Sequence, residues 1–494
     1  MDERPVQKVG DVWALTAPAD IFQLIAHRLA KSYLERFKVA FRNVFGGIDP
    51  KVELPPDKWF YYDIKGARGH SDWLRSGMAE TLLLISERGS GARLDCVPPA
   101  VYVDEVVRDL PGLDNDWRTL ASIRDQYARL MEAAPDPLLC SLERLLEAKP
   151  DDVPRLFVEG EGIFGGGAMH TGVLWGLEVL AWSPDFLSRV TLILAELARL
   201  DPGGRMANRP IGSLYEIFLP WHPGTYASIQ ERLAAIDLIL DREPDIGWKL
   251  LAKLLPTGSP SASFMTAKPH WRDFGDPPED ARTWRGWAQY ASAIVERAVD
   301  RLGNDVGRWG NILDSLRVIN SAQQKRIIDM LQSVAQESPQ YVKTALWEKL
   351  RDFVYQHRTF RAAEWALSED ILNRLEAILP LLAPGDPVAR FSWLFDDWLP
   401  EIPSGEEDID LRKKQVEELR QQAVQEILET KGTEGLVELG TRSKYPGLVA
   451  VAALPLMKNM DQARLLCQQA IVAGKEDLSF AAQVSGQARR LYGE

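Results

Sequence analysis

Cysteine is scarce in this chain of 494 residues, which has three: Cys96, Cys140 and Cys467. None of them stands in the C-x-x-C spacing that is typical of structural zinc sites and redox motifs. Each is interpreted as a small buried hydrophobic residue, with a reactive thiol as the alternative. The cysteines therefore predict no metal site.

Histidine is also scarce, and no histidine lies in the H-E-x-x-H spacing that places two metal ligands on one helix face. The sequence has no G-x-S-x-G nucleophile elbow either. We therefore predict no catalytic, cofactor-binding or metal-binding residue, and no enzyme. The alternative is a hydrolase whose site is assembled from distant histidines and nearby acids, with His170, His222 or His357 as candidates. The six histidines are His27, His70, His170, His222, His270 and His357.

One glycine-rich loop is present, Glu159–Gly167. Backbone amides in such loops can cradle phosphate, but this one lacks the Gly-Lys-Ser/Thr ending that supplies a lysine and a magnesium ligand. Glu159 and Glu161 would repel phosphate. The loop is interpreted as a connector, and no binding or hydrolysis of ATP is expected.

Long apolar runs are missing, since no stretch approaches the roughly 20 apolar residues that span a bilayer. The start, MDERPVQKVG, has no apolar core of a secretory signal. We therefore expect a soluble cytoplasmic protein without a membrane partner. The net charge of −13 makes nucleic acid an unlikely partner, because phosphate binding needs a basic surface. Lys413, Lys414 and Arg420 alternate with acids and are interpreted as a solvated helix face.

Helical periodicity is present along nearly the whole chain. Thr171–Trp182 and the helix that begins at Ser183-Pro184-Asp185 each carry an apolar stripe at steps of three and four, which predicts an antiparallel hairpin. Similar pairs recur without a shared consensus. The predicted fold class is all-α, an irregular α-solenoid of antiparallel helix hairpins resembling HEAT or tetratricopeptide arrays, with helix above about 60% of residues. A short β element near residues 58–103 is the one exception that the pattern allows.

Three regions are predicted, because a chain of this length exceeds a single core. Residues 1–160 form an N-terminal helical region, residues 161–400 a helical-hairpin array, and residues 401–494 a C-terminal helical group. The charged segment Ser404–Lys414 is interpreted as a hinge before the last group. A second stretch without helical period, Pro256–Pro278, is either a linker or a functional loop.

Two segments concentrate aromatic and arginine side chains. The first is Asn208–Thr225, which places Arg209, Trp221 and His222 around prolines, and the second contains Arg390–Phe395. Such residues are common interface anchors, and they also fill the space between helical layers. Arg209, Trp221 and His222 are the candidate partner-binding residues. Arg209 and His222 are expected near the surface and Trp221 in internal packing.

Several blocks resemble the long helical region of large bacterial antiphage-defence proteins of the STAND NTPase and sirtuin-effector type. The resemblance extends over roughly residues 10–494 and rests on packing motifs. It implies a scaffold or sensor that binds a protein or peptide, such as an NTPase chain, an effector chain or a phage protein. The blocks are Asn208–Thr225, Pro244–Pro256, Leu174–Trp182, Trp347–Arg351, His357-Arg358 and Trp393–Phe395.

The chain departs from that family in its chemistry. It has neither a Walker A lysine loop nor a sirtuin-type glycine fingerprint. It is therefore either a fragment of a larger protein or a stand-alone relative whose partner supplies the chemistry. The amphipathic segment Ala482–Tyr492 ends without a polar capping repeat, which favours a fragment.

Overall fold

The computed structural model describes residues 6–65, 69–91, 94, 98–161, 167–257, 266–404, 406, 408–474 and 477–492. About 70% of these residues are helical, counting short 3-10 turns. The expectation of more than about 60% helix is confirmed. The chain divides into two compact units, one of Met1–Leu255 with Ser261–Ile294 and one of Pro256–Pro260 with Val295–Glu494. The predicted divisions after residues 160 and 400 fall inside the first and the second unit respectively.

The first unit begins with a β-hairpin and continues in helices. Its strands are β1 (Val6–Val9) and β2 (Val12–Leu15), paired antiparallel with Val6 opposite Leu15. Its helices are α1 (Pro18–Ile25), α2 (Lys31–Phe45), α3 (Trp59–Lys65), α4 (Asp72–Arg88), α5 (Pro99–Arg108), α6 (Trp117–Ser122), α7 (Tyr127–Ala133), α8 (Pro135–Ala148), α9 (Thr171–Ala181), α10 (Pro184–Leu200), α11 (Pro210–Ile217), α12 (Ile229–Arg242) and α13 (Pro244–Leu254).

Helix α14 (Trp284–Val299) belongs to the first unit up to Ile294 and to the second from Val295. The other helices of the second unit are α15 (Val306–Leu313), α16 (Ser321–Glu337), α17 (Gln340–Thr359), α18 (Glu369–Glu376), α19 (Leu379–Leu382), α20 (Pro387–Phe391), α21 (Ile409–Arg442), α22 (Pro446–Ala453), α23 (Met460–Gly474) and α24 (Ser479–Tyr492).

The local signals in the sequence place several helices correctly. Ser71 accepts a hydrogen bond from the backbone N–H of Leu74 and begins α4. Helix α10 begins at Pro184 as predicted, and it packs against α9. The fold class is thus the predicted one: within each unit, helix hairpins form an all-α array of irregular solenoid type.

The described residues between 58 and 103 contain no strand, contrary to the prediction, and residues 66–68, 92–93 and 95–97 of that range lie outside the description. Trp59–Lys65 is α3, and the chain from Pro99 onward is α5. The observed hairpin lies instead at residues 6–15, where Gly10 has a φ of +62° in the two-residue turn. Glycine adopts this left-handed conformation without strain, which suits a tight hairpin turn.

The core of the second unit's C-terminal part lies where α21 packs against α22 and α23. Phe395, Ile427, Leu439 and Phe480 are all at most 1% exposed there. Within the described residues, no helix combines the length and the apolar character needed to cross a membrane.

Candidate functional site

A cleft of about 520 Å³ opens in the second unit between α17 and residues 392–401, and we call it the Arg351 cleft. The lining residues on α17 recur at steps of three and four, so they share one helix face. The opposite wall is a 3-10 turn, Ser392–Phe395, and the irregular chain after it. The lining residues are Glu348, Arg351, Asp352, Tyr355 and Gln356 on the helix, and Ser392, Trp393, Asp396, Asp397, Pro400 and Glu401 opposite.

Arg351 lies between two tryptophans. Its guanidinium carbon is 4.7 Å from the ring centroid of Trp347 and 4.6 Å from that of Trp393. Its Nη2 donates to Oδ1 of Asp352 at 2.6 Å, while its Nε and Nη1 have no acceptor among the described residues. The residue is 5% exposed. A buried N–H without an acceptor costs free energy, so Arg351 has unused hydrogen-bonding capacity at this cleft.

Helix α21 holds the opposite wall in place. The guanidinium of Arg420 donates from Nε to the carbonyl oxygen of Leu394 at 2.8 Å, and from Nη2 to that of Asp397 at 2.8 Å. Arg412 forms an ion pair with Glu401 at 2.6 Å. The carboxylates of this wall therefore project from a backbone that the buried side chain of Arg420 fixes.

The lining of the cleft is strongly anionic. Its charged residues are one arginine, Arg351, and five carboxylates. Tyr355 and Trp393 add an aromatic surface, with their ring centroids 5.6 Å apart. Burial raises the pKa of Tyr355, so its hydroxyl stays neutral at physiological pH. The five carboxylates are Glu348, Asp352, Asp396, Asp397 and Glu401.

One interpretation from the sequence is wrong at this cleft. Arg420 was assigned to a solvated helix face, but it is 7% exposed and bound to backbone carbonyls. Asp396 and Asp397 are adjacent in the sequence and both line the cleft. They can do so because the 3-10 turn ends at Phe395 and the chain is bent at both aspartates.

A smaller cleft of about 190 Å³ contains His357 with Asp314, Arg317 and Trp365. Nδ1 of His357 accepts from the backbone N–H of Leu367 at 3.1 Å. Burial, together with the charge of Arg317, lowers the pKa of His357 to about 4. The imidazole is therefore neutral at pH 7, and within the described chain it forms no ion pair with Asp314.

Arg209 lies in the interior of the first unit, at 9% exposure. It forms ion pairs with Glu159 and with Asp201, the latter at 3.0 Å, and its Nε donates to the carbonyl oxygen of Met206. The expectation that Arg209 remains near the surface is wrong. Its charge is compensated there by Glu159 and Asp201, which are both partly buried beside it.

The other two candidate residues are less enclosed than Arg209. Trp221 is partly buried and His222 is exposed. Exposure of His222 agrees with the expectation, and its role in partner binding stays a prediction.

The three histidines named for a hydrolase lie in different surroundings. His170 is 1% exposed, and its Nε2 is 2.9 Å from the carbonyl oxygen of Asn208. His222 lies on the surface, and His357 lies in the second unit. In the part of the chain that the structure describes, neither His170 nor His357 forms an ion pair with a carboxylate. The same part contains no group of three His, Cys, Asp or Glu side chains placed to hold a metal ion.

Part of the glycine-rich loop, residues 162–166, lies outside the described residues. At its edges, Glu159 pairs with Ala168 in a β-bridge, and the N–H of Glu161 donates to the carbonyl oxygen of Pro56. Glu159 serves as the acid of the Arg209 ion pair.

The described part of the stretch Pro256–Pro278 includes a strap without helix or strand, residues 266–274, which bends at His270 and Trp271; residues 258–265 lie outside the description. Glu132, at 1% exposure, accepts the backbone N–H groups of His270, Trp271 and Arg272 at 2.7–2.8 Å. Nε of Arg272 donates to Glu87 at 2.7 Å. The first unit therefore holds a basic segment through carboxylates on its helices.

The sequence does not single out Arg351, although Trp347–Arg351 and Trp393–Phe395 are two of the blocks that carry the family resemblance. Spacing i, i+4 predicts that Trp347 and Arg351 share a helix face. The contact with Trp393 joins residues far apart in the chain, and no local pattern indicates it.

No protein-family model matches the chain, and no curated protein matches it. A solved structure described as a circular tandem repeat protein with novel repeat topology and enhanced subunit contact surfaces is similar at 14% identity. The match covers 93% of this chain and 96% of that one, with a TM-score of 0.24. A likeness at that level carries no argument about this chain.

Proposed function

We propose that the protein is a helical-repeat scaffold that binds a protein or peptide partner, and that the partner docks in the Arg351 cleft. The observation that carries the proposal is Arg351 itself, which is 5% exposed and has two N–H groups without an acceptor among the described residues. Buried arginines normally have their donors satisfied. A partner that supplies an oxygen here would offset that deficit.

The form of the cleft supports a macromolecular partner. It is lined by residues from a long helix and from a separate chain segment, and its aromatic surface lies beside charged side chains. Tryptophan, tyrosine and arginine are the residues that most often contribute strongly to protein interfaces. All three residue types occur in or beside this cleft.

The resemblance to helical regions of STAND-type and sirtuin-effector proteins supports a role in bacterial antiphage defence, in the cytoplasm. In that role the partner is an NTPase chain, an effector chain or a phage protein. No residue of an NTPase or sirtuin site was carried over from the resemblance. The proposal therefore assigns this chain the binding function and its partner the chemistry.

Site-specific photo-cross-linking in host cells tests this proposal. A photoreactive amino acid replaces Gln356, which is exposed and lines the cleft, or Gln421, which is exposed on α21 and does not line it. We expect one protein to be cross-linked from position 356 and not from position 421. The proposal fails if position 356 yields no protein adduct, or the same adducts as position 421.

A further inference from the structure

We propose that the Arg351 cleft accepts an extended basic segment, with a lysine or arginine side chain among its carboxylates and a backbone carbonyl oxygen on Arg351. This inference rests on the proposed function and adds the chemical class of the ligand. It is argued from the charge, the aromatic surface and the unused donors of the cleft.

The charge of the cleft selects a cation. Arg351 is paired with Asp352 and Arg412 with Glu401, which accounts for two of the five carboxylates. Among the described residues, no side chain forms an ion pair with Glu348, Asp396 or Asp397, and all three are exposed. Three uncompensated carboxylates around one opening attract a cationic side chain and repel an anionic one.

The aromatic surface suits the long stem of a lysine or arginine. Trp393 and Tyr355 are both partly buried and line the cleft. Methylene groups of basic side chains commonly cover such apolar surface while the charged end reaches a carboxylate. The arrangement favours a side chain with a flexible stem over a compact metal ion.

Arg351 supplies the second recognition element. Its Nε and Nη1 need an acceptor, and the surrounding carboxylates make a second anion unfavourable there. A neutral peptide carbonyl is the complementary group. Both donors are buried from solvent, so a carbonyl reaches them only when a neighbouring side chain, such as the partly exposed Trp393, shifts.

The strap of the first unit shows the same chemistry within this chain. Its basic residues occupy every second position, at Lys268, His270 and Arg272, in a segment that is neither helix nor strand. Arg272 donates to Glu87, and the ammonium of Lys268 lies 5.5 Å from the ring centroid of Trp182. A basic segment without regular secondary structure is therefore a ligand that helices of this protein bind with carboxylates and tryptophan.

Calorimetry on the full chain with a short blocked peptide that has lysine at every second position tests the inference. Three other ligands are compared with it. Two are the same peptide with every lysine replaced by glutamine or by glutamate, and the third is spermine. The variant is Asp396→Asn with Asp397→Asn, in which Oδ1 can still accept from the backbone N–H of Lys444 and of Leu399. The control, Glu418→Gln with Glu429→Gln, removes two exposed charges of α21 outside the cleft.

We expect only the lysine peptide to bind. Its affinity should be about tenfold lower for the cleft variant than for wild type, and within about twofold of wild type for the control. Equal binding of the glutamine or glutamate peptide would overturn the basic class. Equal binding of spermine would overturn the role of the peptide carbonyl. If no peptide binds but cross-linking at position 356 still captures a protein, the inference fails and the proposed function stands. If no peptide binds and no protein is cross-linked at position 356, both the inference and the proposed function fail.

Discussion

Nη2 of Arg420 donates a hydrogen bond to the backbone carbonyl oxygen of Asp397, at 2.8 Å. The same guanidinium also bonds the carbonyls of Leu394 and Trp398, at 2.8 and 3.0 Å. Burial lowers the pKa of Arg420, and these three carbonyls compensate for the lost hydration of its charge. One residue of α21 therefore fixes the wall that carries Asp396 and Asp397.

Replacing Arg420 by methionine should destabilise the second unit by about 2–4 kcal/mol, because three buried carbonyls lose their donors. Lys414→Met on the exposed part of the same helix should change stability by less than about 0.5 kcal/mol. Urea unfolding followed by tryptophan fluorescence compares the two. Equal urea midpoints for the Arg420→Met and Lys414→Met variants would show that the hydrogen bonds of Arg420 do not hold the cleft wall.

Arg209→Met should destabilise the first unit by about 1.5–3 kcal/mol, because the partly buried Glu159 and Asp201 would lose their charged donor. His222→Ala should change stability by less than about 1 kcal/mol, since His222 is exposed. Thermal melts of both variants measure this difference. A melting temperature for Arg209→Met close to that of wild type would restore Arg209 as a candidate interface residue.

His357 should make the second unit less stable as the pH falls. Its pKa is about 4 in the folded chain and 6.5 ordinarily, so between these values the unfolded chain binds more protons. The free energy of unfolding of the second unit should therefore fall by up to about 3 kcal/mol as the pH is lowered from about 6.5 to 4. His357→Gln, which keeps an acceptor for Leu367, should flatten this dependence in urea titrations. An unchanged pH profile in the variant would contradict the assignment.

Glu178 should make the first unit less stable as the pH rises. Burial raises its pKa from the ordinary 4.5 to about 7, although the N–H of Ala267 and the hydroxyl of Ser213 donate to it. The folded chain binds the extra proton between these values, so stability falls by up to about 3 kcal/mol as the pH rises from 4.5 to 7. Glu178→Gln should abolish this fall. A fall of wild-type size in the variant would show that another group causes it.

The helices could be predicted because their signals are local. Apolar stripes and the proline at Pro184 each act within one or two turns, and the structure confirms α10. The hairpin at residues 6–15 was missed although its alternating residues and its turn at Gly10 are also local signals.

The candidate site could not be predicted, because it is made by contacts between distant residues. Arg420 and the acids around it suggested a solvated face, since the sequence gives no sign of the carbonyls that the guanidinium binds. Arg209 beside a proline suggested exposure, but its partner Glu159 lies 50 positions earlier in the chain, and Asp201 lies at the start of the same connection. Burial of a charge depends on such partners, and composition does not identify them.

The most direct test of partner docking in the Arg351 cleft is quantitative capture with a reversed charge at the cleft. Asp396→Lys with Asp397→Lys is compared with wild type and with Glu418→Lys plus Glu429→Lys, each variant having a melting temperature near that of wild type. The protein that cross-links at position 356 should be retained by wild type and by the α21 variant, and lost by the cleft variant. Equal retention of that protein by all three would contradict docking in the cleft.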